Sequence, residues 1–288
     1  MPSATWPTTQ AREASVSLFI PYEKMWDMPL GGSSDGKQIP HWFGNIAYAV
    51  VGAVCKVLFR YRVDGRENLR AFKGRSGAVV VCNHTSYLDV AFVYLAARPS
   101  QWVRLIGRES LFKAGHGLLG QVLSRVGAFP IKRDSADRTA IKRAARDLKD
   151  GELVGIFPEG TRRGKSNKVP RLHSGAAFIA KMGKAPLLPM TVRNAELVKQ
   201  KGKFVRFPKI TVEYGSPVLL SDFDGLPKDE RLDGCTWYVM RECFAMFYGK
   251  RPEEVDMTGL FPEAKDYAAY FEQNPVPQRT VEEILESE

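Results

Sequence analysis

The feature that most constrains the fold is a histidine placed between a strand pattern and a helix pattern. The apolar residues 78–82 predict a buried strand, and the apolar residues 90–97 predict a helix. Between them stands the sequence NHTSYLD, residues 83–89. In open α/β sheets, the turns at the carboxyl ends of strands are where ligands bind. The sequence therefore predicts an α/β domain with His84 at a ligand-binding edge.

The carboxylate of Asp89 has two interpretations. An imidazole at such a turn can take a proton near neutral pH, and a carboxylate five residues later can orient it, so that His84 and Asp89 form an acid–base pair. Ser86 and Asp89 also fit a capping box, in which Ser86 caps the helix and Asp89 accepts a hydrogen bond from a free backbone N–H group. The spacing alone leaves both interpretations open.

Charge separates the chain into a basic body and an acidic end. The 288 residues carry a formal net charge of +10, but residues 251–288 hold ten acidic and three basic residues, which leaves +17 on residues 1–250. A basic body suits phosphorylated metabolites, acidic carrier proteins, anionic lipid surfaces or nucleic acid. No recognisable nucleic-acid-binding motif accompanies the charge, so we expect no nucleic acid among the partners.

The cysteines and the N-terminus bear on the compartment. The chain has four cysteines without CxxC spacing and without a histidine cluster beside them, so we expect no disulfide framework and no metal site. A reducing cytosol fits this usage best. The N-terminus lacks the basic start, apolar core and cleavage site of a signal peptide, and secretion is not expected. The cysteines are Cys55, Cys82, Cys235 and Cys243.

The most apolar segment, residues 41–59, predicts a membrane-associated helix. Its 19 residues would form a helix roughly 28 Å long, close to the hydrocarbon thickness of a bilayer. A narrow polar stripe favours a helix that lies in the interface or enters one leaflet, with Arg60 and Arg62 meeting lipid phosphates on the cytoplasmic side. A full span is marginal, and a helix buried in the protein's own core is the alternative. The stripe comprises Asn45, Tyr48, Gly52 and Lys56.

Strand-like and helix-like segments alternate after Gly65, as expected for an α/β domain. The predicted strands are residues 78–82, 103–107, 153–157, 187–192 and 209–214, and the clearest predicted helices are residues 136–148 and 232–248. The predicted organisation is an N-terminal extension with a short amphipathic element (1–39), the membrane-associated helix (40–62), the α/β domain (63–225) and a helical extension with an acidic tail (226–288).

A second polar turn follows the predicted strand 153–157. The sequence FPEGTR occupies residues 157–162, where Pro158 ends the strand and Gly160 allows a tight turn. Arg162 can bind a phosphate with two parallel hydrogen bonds. Glu159 can accept hydrogen bonds from a polyol or orient neighbouring groups. The turn therefore offers one carboxylate and one guanidinium at a strand end.

Two further segments complete the pattern. Lys132 and Arg133 follow an apolar run directly, and they can form a second wall of a phosphate pocket. Pro189 lies inside the predicted strand 187–192. Because proline cannot donate a ladder hydrogen bond, this strand is expected at a sheet edge or at a bulge, for which the rim of a pocket is a suitable place.

Taken together, these segments resemble the glycerolipid acyltransferases, the family typified by 1-acyl-sn-glycerol-3-phosphate acyltransferase. The family is marked by four blocks in a fixed order, and this chain has all four. The resemblance covers roughly residues 40–225, and the 75 residues from His84 to Glu159 agree with the family. One departure is Lys132, since many relatives have an acidic residue at that position. The four blocks are residues 83–89, 127–133, 157–162 and 188–189.

The resemblance implies a fold and a role for each matching residue. The fold is a single mixed-sheet acyltransferase domain flanked by helices, with an N-terminal membrane-associated helical segment. His84 is implied as the general base and Asp89 as the residue that orients it. Arg133 and Arg162 are implied to hold the acceptor's phosphate, with Lys132 as a secondary ligand. Residues 159–161 are implied to shape the acceptor site, and Pro189 to help form the acyl-donor pocket. The implied substrate-binding residues are Lys132, Arg133, Glu159, Gly160, Thr161, Arg162 and Pro189.

The implied reaction moves a fatty acyl group from acyl-CoA or acyl-carrier protein to the hydroxyl of lysophosphatidic acid, giving phosphatidic acid for phospholipid biosynthesis. The acyl carrier is a co-substrate, and no cofactor or metal is implied. The enzyme would lie on the cytoplasmic face of a membrane, as a peripheral or monotopic protein. Glycerol 3-phosphate or another lysophospholipid is the alternative acceptor. A non-catalytic protein that binds anionic lipids is the alternative class.

Two mechanistic details stay open in the sequence. Thr85, Ser86 and the N–H groups of the turn are candidates for stabilising the oxyanion. Cys82, two residues before His84, is either a core cysteine or a nucleophile that forms a covalent acyl intermediate. We expect the core role and direct transfer. Acyl-chain length, the acyl donor and the oligomeric state are not specified by these residues.

Overall fold

A computed structural model describes residues 20–31, 37–132, 137–163 and 169–287. The helices are α1 (Tyr22–Met25), α2 (His41–Phe59), α3 (Arg66–Arg70), α4 (Leu88–Ala97), α5 (Glu109–Phe112), α6 (Leu118–Arg125), α7 (Arg138–Lys149), α8 (Gly175–Gly183), α9 (Arg231–Tyr248), α10 (Met257–Leu260), α11 (Ala268–Gln273) and α12 (Val281–Ser287). The strands are β1 (Leu30–Gly31), β2 (Ile39–Pro40), β3 (Arg62–Asp64), β4 (Ala78–Cys82), β5 (Val103–Arg108), β6 (Phe129–Ile131), β7 (Leu153–Ile156), β8 (Leu187–Arg193) and β9 (Thr211–Tyr214).

The chain divides into two units. The first comprises residues 1–51 and 106–143, and the second comprises residues 52–105 and 144–288. Helix α2 and strand β5 continue from one unit into the other. The bounds predicted from the sequence for the catalytic domain and its extensions stay predictions.

The second unit is built on a mixed sheet with strand order β3-β9-β8-β4-β7-β5. Strand β4 is buried along its whole length and pairs in parallel with β7 on one side and β8 on the other. A strand covered on both faces is a continuous apolar run, which is why the sequence predicted its bounds correctly. The antiparallel pair β8–β9 makes the sheet mixed, so the predicted fold class is confirmed.

Of the two positions expected for Pro189, the sheet edge is wrong, whereas a one-residue change of register in the pairing beside β8 lies next to it. Strand β8 is an interior strand with β4 and β9 as neighbours. The carbonyl of Pro189 accepts the Gly215 N–H group at 2.9 Å, just beyond the end of β9. The N–H and C=O groups of a strand residue point to the same neighbouring strand. The N–H group that proline lacks would therefore point to the β9 side, beyond the last pair of the β8–β9 ladder. The pairing of β8 with β4 is intact.

Helix packing completes the core of the second unit. Helix α9 packs against β8 and β4, and its buried face includes Trp237, Met240, Cys243 and Phe244. Helix α4 follows β4 directly, and its residues 92–97 are buried. The helix predicted at 232–248 is therefore confirmed, with its start at Arg231.

The first unit is organised around an aromatic residue next to α1. The ring of Trp26 contacts the ring of Phe112 edge to face at 5.7 Å, and its N–H group donates to the hydroxyl of Ser124 at 2.9 Å. Arg143 is buried and pairs with Asp27 at 2.7 Å. In contrast, Arg138 and Lys142 of α7 are exposed to solvent.

Helix α2 has the predicted bounds and exposes most of its apolar side chains. Val57 is 76% exposed, and Gly52, Cys55 and Phe59 are its buried positions in the second unit. By length and composition it can cross a membrane. The alternative of a helix buried in the protein's own core is therefore wrong. Helix α1 lies in the N-terminal extension (1–39) for which a short amphipathic element was predicted, and residues 1–19 and 32–36 of that extension lie outside the described part of the chain.

Candidate active site

The catalytic pair predicted from the sequence is in contact in the second unit. The Nδ1 atom of His84 lies 3.1 Å from Oδ2 of Asp89, and Asp89 is fully buried. His84 is the second residue of the turn that leaves β4, and Asp89 is the second residue of α4, so strand and helix bring the two side chains together. The His84 ring also stacks on Phe157 with centroids 4.4 Å apart.

One carboxylate oxygen of Asp89 both faces the imidazole of His84 and accepts the hydrogen bonds of the helix cap. Oδ2 accepts the backbone N–H groups of Thr85 and Ser86, each at 2.7 Å, in addition to facing His84. The hydroxyl of Ser86 accepts the N–H group of Leu88 at 3.3 Å. Since Oδ2 accepts two backbone donors, it is also the acceptor toward His84, and the imidazole carries its proton on Nδ1. In a neutral imidazole, the cap therefore favours the tautomer that has its proton on Nδ1 and a lone pair on Nε2.

The backbone of His84 is held from the opposite side by the FPEGTR turn. Oε1 of Glu159 accepts the His84 N–H group at 2.8 Å, and the backbone N–H of Arg163 donates to the His84 carbonyl at 2.9 Å. Glu159 is buried. The structure shows a hydrogen bond from a neighbouring backbone to Glu159, and its role in binding a substrate stays a prediction.

Arg163, which the sequence did not single out, anchors this arrangement. Its guanidinium forms an ion pair with Glu159 and donates from Nη1 to the carbonyl of Leu260 at 3.2 Å. It also lies between two aromatic rings, 4.7 Å from the centroid of Phe244 and 4.5 Å from that of Phe261. The C-terminal extension thus contacts the residues that position His84.

The electrostatics of Glu159 reflect its burial. Desolvation raises the pKa of this carboxyl to about 7, although the Arg163 guanidinium and the hydrogen bond from the His84 N–H group act to lower it. A small change of pH near neutrality therefore changes the charge of the group that binds the backbone of His84.

Arg162 presents its guanidinium next to an exposed tyrosine. The guanidinium carbon lies 3.3 Å from the centroid of the Tyr87 ring, and Tyr87 belongs to the same turn as His84. Gly160 has a φ of 62°, a left-handed conformation that favours glycine, and the imidazole of His173 comes within 3.3 Å of where a Cβ atom would lie. Thr161 is exposed at the tip of the turn.

Cys82 lies in the core beneath the site. Its thiol donates to the carbonyl of Asn83 at 3.3 Å. Burial raises the pKa of this thiol well above its usual range, and the carboxylate of Asp89 raises it further, so the thiolate needed for covalent catalysis is disfavoured. The buried amide oxygen of Asn83 accepts the Thr191 hydroxyl of β8 at 2.8 Å, which fastens the start of the turn to the sheet.

The expectation that the turn's N–H groups stabilise the oxyanion is wrong for three of them. The N–H group of His84 donates to Glu159, and those of Thr85 and Ser86 donate to Asp89. The Thr85 hydroxyl oxygen is buried and has no hydrogen-bond partner among the described residues. It remains a candidate for that role.

The remaining predicted substrate-binding residues belong to other elements of the chain or lie outside the described residues. Lys132 is exposed in the first unit, where its N–H group donates to Asp137 at 2.9 Å. Arg133 falls outside the described residues. Pro189 is buried in β8 and paired in register with Val81. Their substrate-binding roles stay predictions.

Comparisons with known proteins cover the same region. A family model described as Acyltransferase matches residues 60–193, which contain all four blocks. A 1-acyl-sn-glycerol-3-phosphate acyltransferase of Bacillus subtilis (strain 168) is 36% identical over 175 residues, which are 61% of this chain and 82% of the relative. A protein of the same name from Streptococcus pneumoniae (strain ATCC BAA-255 / R6) is 30% identical over 146 residues, 50% of this chain and 51% of the relative.

A solved structure agrees with the fold. The crystal structure of the 1-acyl-sn-glycerophosphate (LPA) acyltransferase PlsC from Thermotoga maritima matches with a TM-score of 0.54. The match covers 84% of this chain and 98% of that chain, at 19% sequence identity. At this level of identity the likeness shows a shared fold.

Proposed function

The chain belongs to the 1-acyl-sn-glycerol-3-phosphate acyltransferase family, and from this premise we propose that it transfers a fatty acyl group to the free hydroxyl of lysophosphatidic acid, giving phosphatidic acid. Because the family is one of enzymes, the alternative of a non-catalytic lipid-binding protein loses its basis. The observation that carries the proposal is the contact between Nδ1 of His84 and Oδ2 of Asp89 at 3.1 Å.

The proposed mechanism is direct transfer with His84 as the base. Nε2 of His84 takes the proton of the acceptor hydroxyl while the hydroxyl oxygen forms a bond to the carbonyl carbon of the thioester. The tetrahedral intermediate then expels the thiolate by breaking the C–S bond, and the thiolate takes the proton from Nε2. Asp89 stabilises the imidazolium that exists between these steps. Acid–base catalysis of this kind supplies about 10²–10⁴ of rate, so positioning must supply the remainder.

Arg162 is the proposed ligand for the acceptor's phosphate. Its guanidinium lies against the Tyr87 ring, and stacking restricts the rotamers of the arginine before the substrate arrives. Lys132 and Arg133 are proposed as further phosphate ligands from their place in the second block. Gly160 and Thr161 are proposed to shape the acceptor site, because they belong to the turn that carries Arg162.

The acyl donor and the membrane complete the proposal. Acyl-CoA or acyl-carrier protein is the co-substrate, and Pro189 is proposed to contribute to the acyl-donor pocket. The exposed apolar helix α2 and the lipid substrates named for the relatives favour association with a membrane. We place the enzyme on the cytoplasmic face, where Arg60 and Arg62 follow α2 and can meet anionic headgroups.

Release of free thiol from a long-chain acyl-CoA tests the reaction. Wild type should release thiol when lysophosphatidic acid is added, and His84→Ala should lose nearly all of that release. Glycerol 3-phosphate and other lysophospholipids in the same assay test the alternative acceptors. Release of thiol without any acceptor, or full activity of His84→Ala, would contradict the proposal. Acyl-carrier protein replaces acyl-CoA as donor if no acceptor supports release.

The Cys82→Ser variant tests direct transfer against a covalent intermediate. Because the Cys82 thiol is buried and donates to a backbone carbonyl, the hydroxyl of serine can take its place, and most activity should remain. A variant that folds but loses activity to the same extent as His84→Ala would sink the direct mechanism.

A further inference from the structure

Residues 199–209, here called the basic loop, combine positive charge with exposed aromatic rings. The segment has five cations and no acidic residue. Phe204 is 94% exposed, and Val205 and Phe207 are exposed beside it. A single exposed apolar side chain is ordinary, but neighbouring exposed apolar side chains with cations beside them are typical of membrane interfaces. The cations are Lys199, Lys201, Lys203, Arg206 and Lys209.

Hydrogen bonds close the base of the basic loop. The N–H group of Arg206 donates to the carbonyl of Val198 at 2.9 Å, and the N–H group of Lys203 donates to the carbonyl of Gln200 at 3.1 Å. Nζ of Lys199 also donates to the carbonyl of Lys203, at 3.2 Å. The exposure of Phe204 therefore belongs to a loop whose backbone is held by the protein itself.

The basic loop is continuous with the end of α2. The ring of Phe207 contacts the ring of Phe59, the last residue of α2, with centroids 5.7 Å apart. Nη2 of Arg60 donates to the carbonyl of Phe207 at 3.2 Å. Val54 and Val57 on the last turns of the helix are exposed. Exposed apolar surface thus passes from α2 to the basic loop, with cations alongside.

We propose that the basic loop is a second membrane contact, which docks on an anionic lipid surface with Phe204 among the headgroups and its cations at the lipid phosphates. The inference rests on the proposed association of α2 with a membrane. An acidic protein would also match the charge of the loop. Lipid is favoured because the most exposed side chain is the apolar Phe204, and because the loop adjoins the exposed end of α2.

A fluorescent label at position 205 measures docking of the basic loop directly. Val205→Cys introduces an exposed thiol next to Phe204, while the four native cysteines are buried, so the label is selective. The labelled full-length protein is mixed with vesicles of phosphatidylcholine alone, or of phosphatidylcholine with about a third phosphatidylglycerol, each with a lipid-borne quencher. Glu272→Cys, at an exposed position of the acidic end, is the matched label control.

We expect the label at 205 to be quenched on the anionic vesicles and the label at 272 to be unaffected. The ratio of docked to undocked loop should fall about 25-fold in the variant with Lys201→Gln and Lys203→Gln, since each cation near an anionic surface is worth about fivefold. Phe204→Ser should lower the same ratio by roughly tenfold, because an apolar ring no longer leaves water.

Four results would overturn the inference. Vesicles that bind the protein without quenching the label at 205 would show that the loop stays in water. Equal quenching at positions 205 and 272 would show that the contact is not specific to the loop. A response of the label to acyl-carrier protein but not to vesicles would assign the loop to a protein partner. Absence of any vesicle binding would refute the membrane association as well, whereas thiol release reports on the proposed reaction separately.

Discussion

Replacing Asp89 by asparagine separates the two roles of one carboxylate oxygen. Oδ2 accepts two backbone N–H groups and faces His84, whereas Oδ1 is buried and has no hydrogen-bond partner among the described residues. The amide of Asp89→Asn should therefore place its oxygen at the position of Oδ2 and its NH2 group at the position of Oδ1. His84 keeps its proton on Nδ1, and only the negative charge is lost.

The expected loss of stability follows from the hydrogen bonds of Asp89. A hydrogen bond to an ionised group contributes about 1.5–3 kcal/mol, and one between neutral groups contributes about 0.5–1.5 kcal/mol. Neutralising the acceptor of two backbone bonds therefore costs about 2 kcal/mol, and burying an unpaired NH2 group costs about 1 kcal/mol more. We expect the free energy of unfolding to fall by about 3 kcal/mol.

The expected loss of activity follows from the charge of the transition state. The imidazolium that forms on His84 is stabilised by a carboxylate 3.1 Å away, and a neutral amide stabilises it less. We expect kcat to fall about 100-fold, which corresponds to about 2.7 kcal/mol in the activation free energy. The tautomer is retained, so the loss should be smaller than that of His84→Ala.

Urea unfolding and thiol release in the same detergent measure both effects. Asp222→Asn is the matched control, because Asp222 is also a buried carboxylate that accepts a backbone N–H group, that of Leu219 at 2.8 Å. This variant should lose stability and keep its kcat. If Asp89→Asn loses stability in the same way and keeps kcat within about threefold, Asp89 is only a helix cap and the argument for an acid–base pair is refuted.

Three further predictions test residues around the catalytic pair. Thr191→Val removes the donor to the buried oxygen of Asn83, so the free energy of unfolding should fall by about 1–3 kcal/mol, and Thr191→Ser should restore most of it. Burial raises the pKa of Glu159 to about 7 from the 4.5 of an exposed glutamate, so the folded protein holds a proton that the unfolded chain releases, and stability should decline as the pH rises from about 5 to about 7. Glu159→Gln should lack this pH dependence, which amounts to up to about 3 kcal/mol in the free energy of unfolding. Wild type and Glu159→Gln with the same change of unfolding free energy over this pH range would contradict the prediction. Tyr87→Ala removes the ring against Arg162 and should raise KM for the phosphorylated acceptor about twofold to fivefold with kcat nearly unchanged, whereas equal KM values for Tyr87→Ala and Tyr87→Phe would argue against stacking.

Local patterns predicted the parts of the fold that local forces determine. Strand β4 was predicted with its observed bounds because a strand buried on both faces is a continuous apolar run. Helix α2 was predicted because it is long and apolar. Strands β3 and β6 were not predicted, since three residues are too few to show an alternation.

The position of Pro189 shows where a residue rule fails. Proline is disfavoured in an interior strand because it removes a ladder hydrogen bond, and the sequence therefore predicted an edge or a bulge. The cost depends on whether an acceptor stands opposite the missing donor. The residue opposite Pro189 is determined by the path of the chain after β9, and the residues around Pro189 do not encode that path.

In the candidate site, too, contacts between residues close in the sequence could be predicted, and contacts between distant residues could not. The pairing of His84 with Asp89 could be predicted, because both residues belong to one turn. The role of Arg163 could not, since its partners Phe244, Leu260 and Phe261 lie far along the chain. An arginine directly after the FPEGTR turn was the only local signal, and the sequence offered no reason to connect it with aromatic residues of the C-terminal extension.

The contacts of Arg163 bear on how short a working fragment of this enzyme can be. A chain cut after residue 225 would keep all four blocks, yet it would lack Phe244, Leu260 and Phe261. Glu159 would then be paired with an arginine that has lost both aromatic neighbours and its carbonyl acceptor. We therefore expect the smallest active piece to extend at least through Phe261, well past the last of the four blocks.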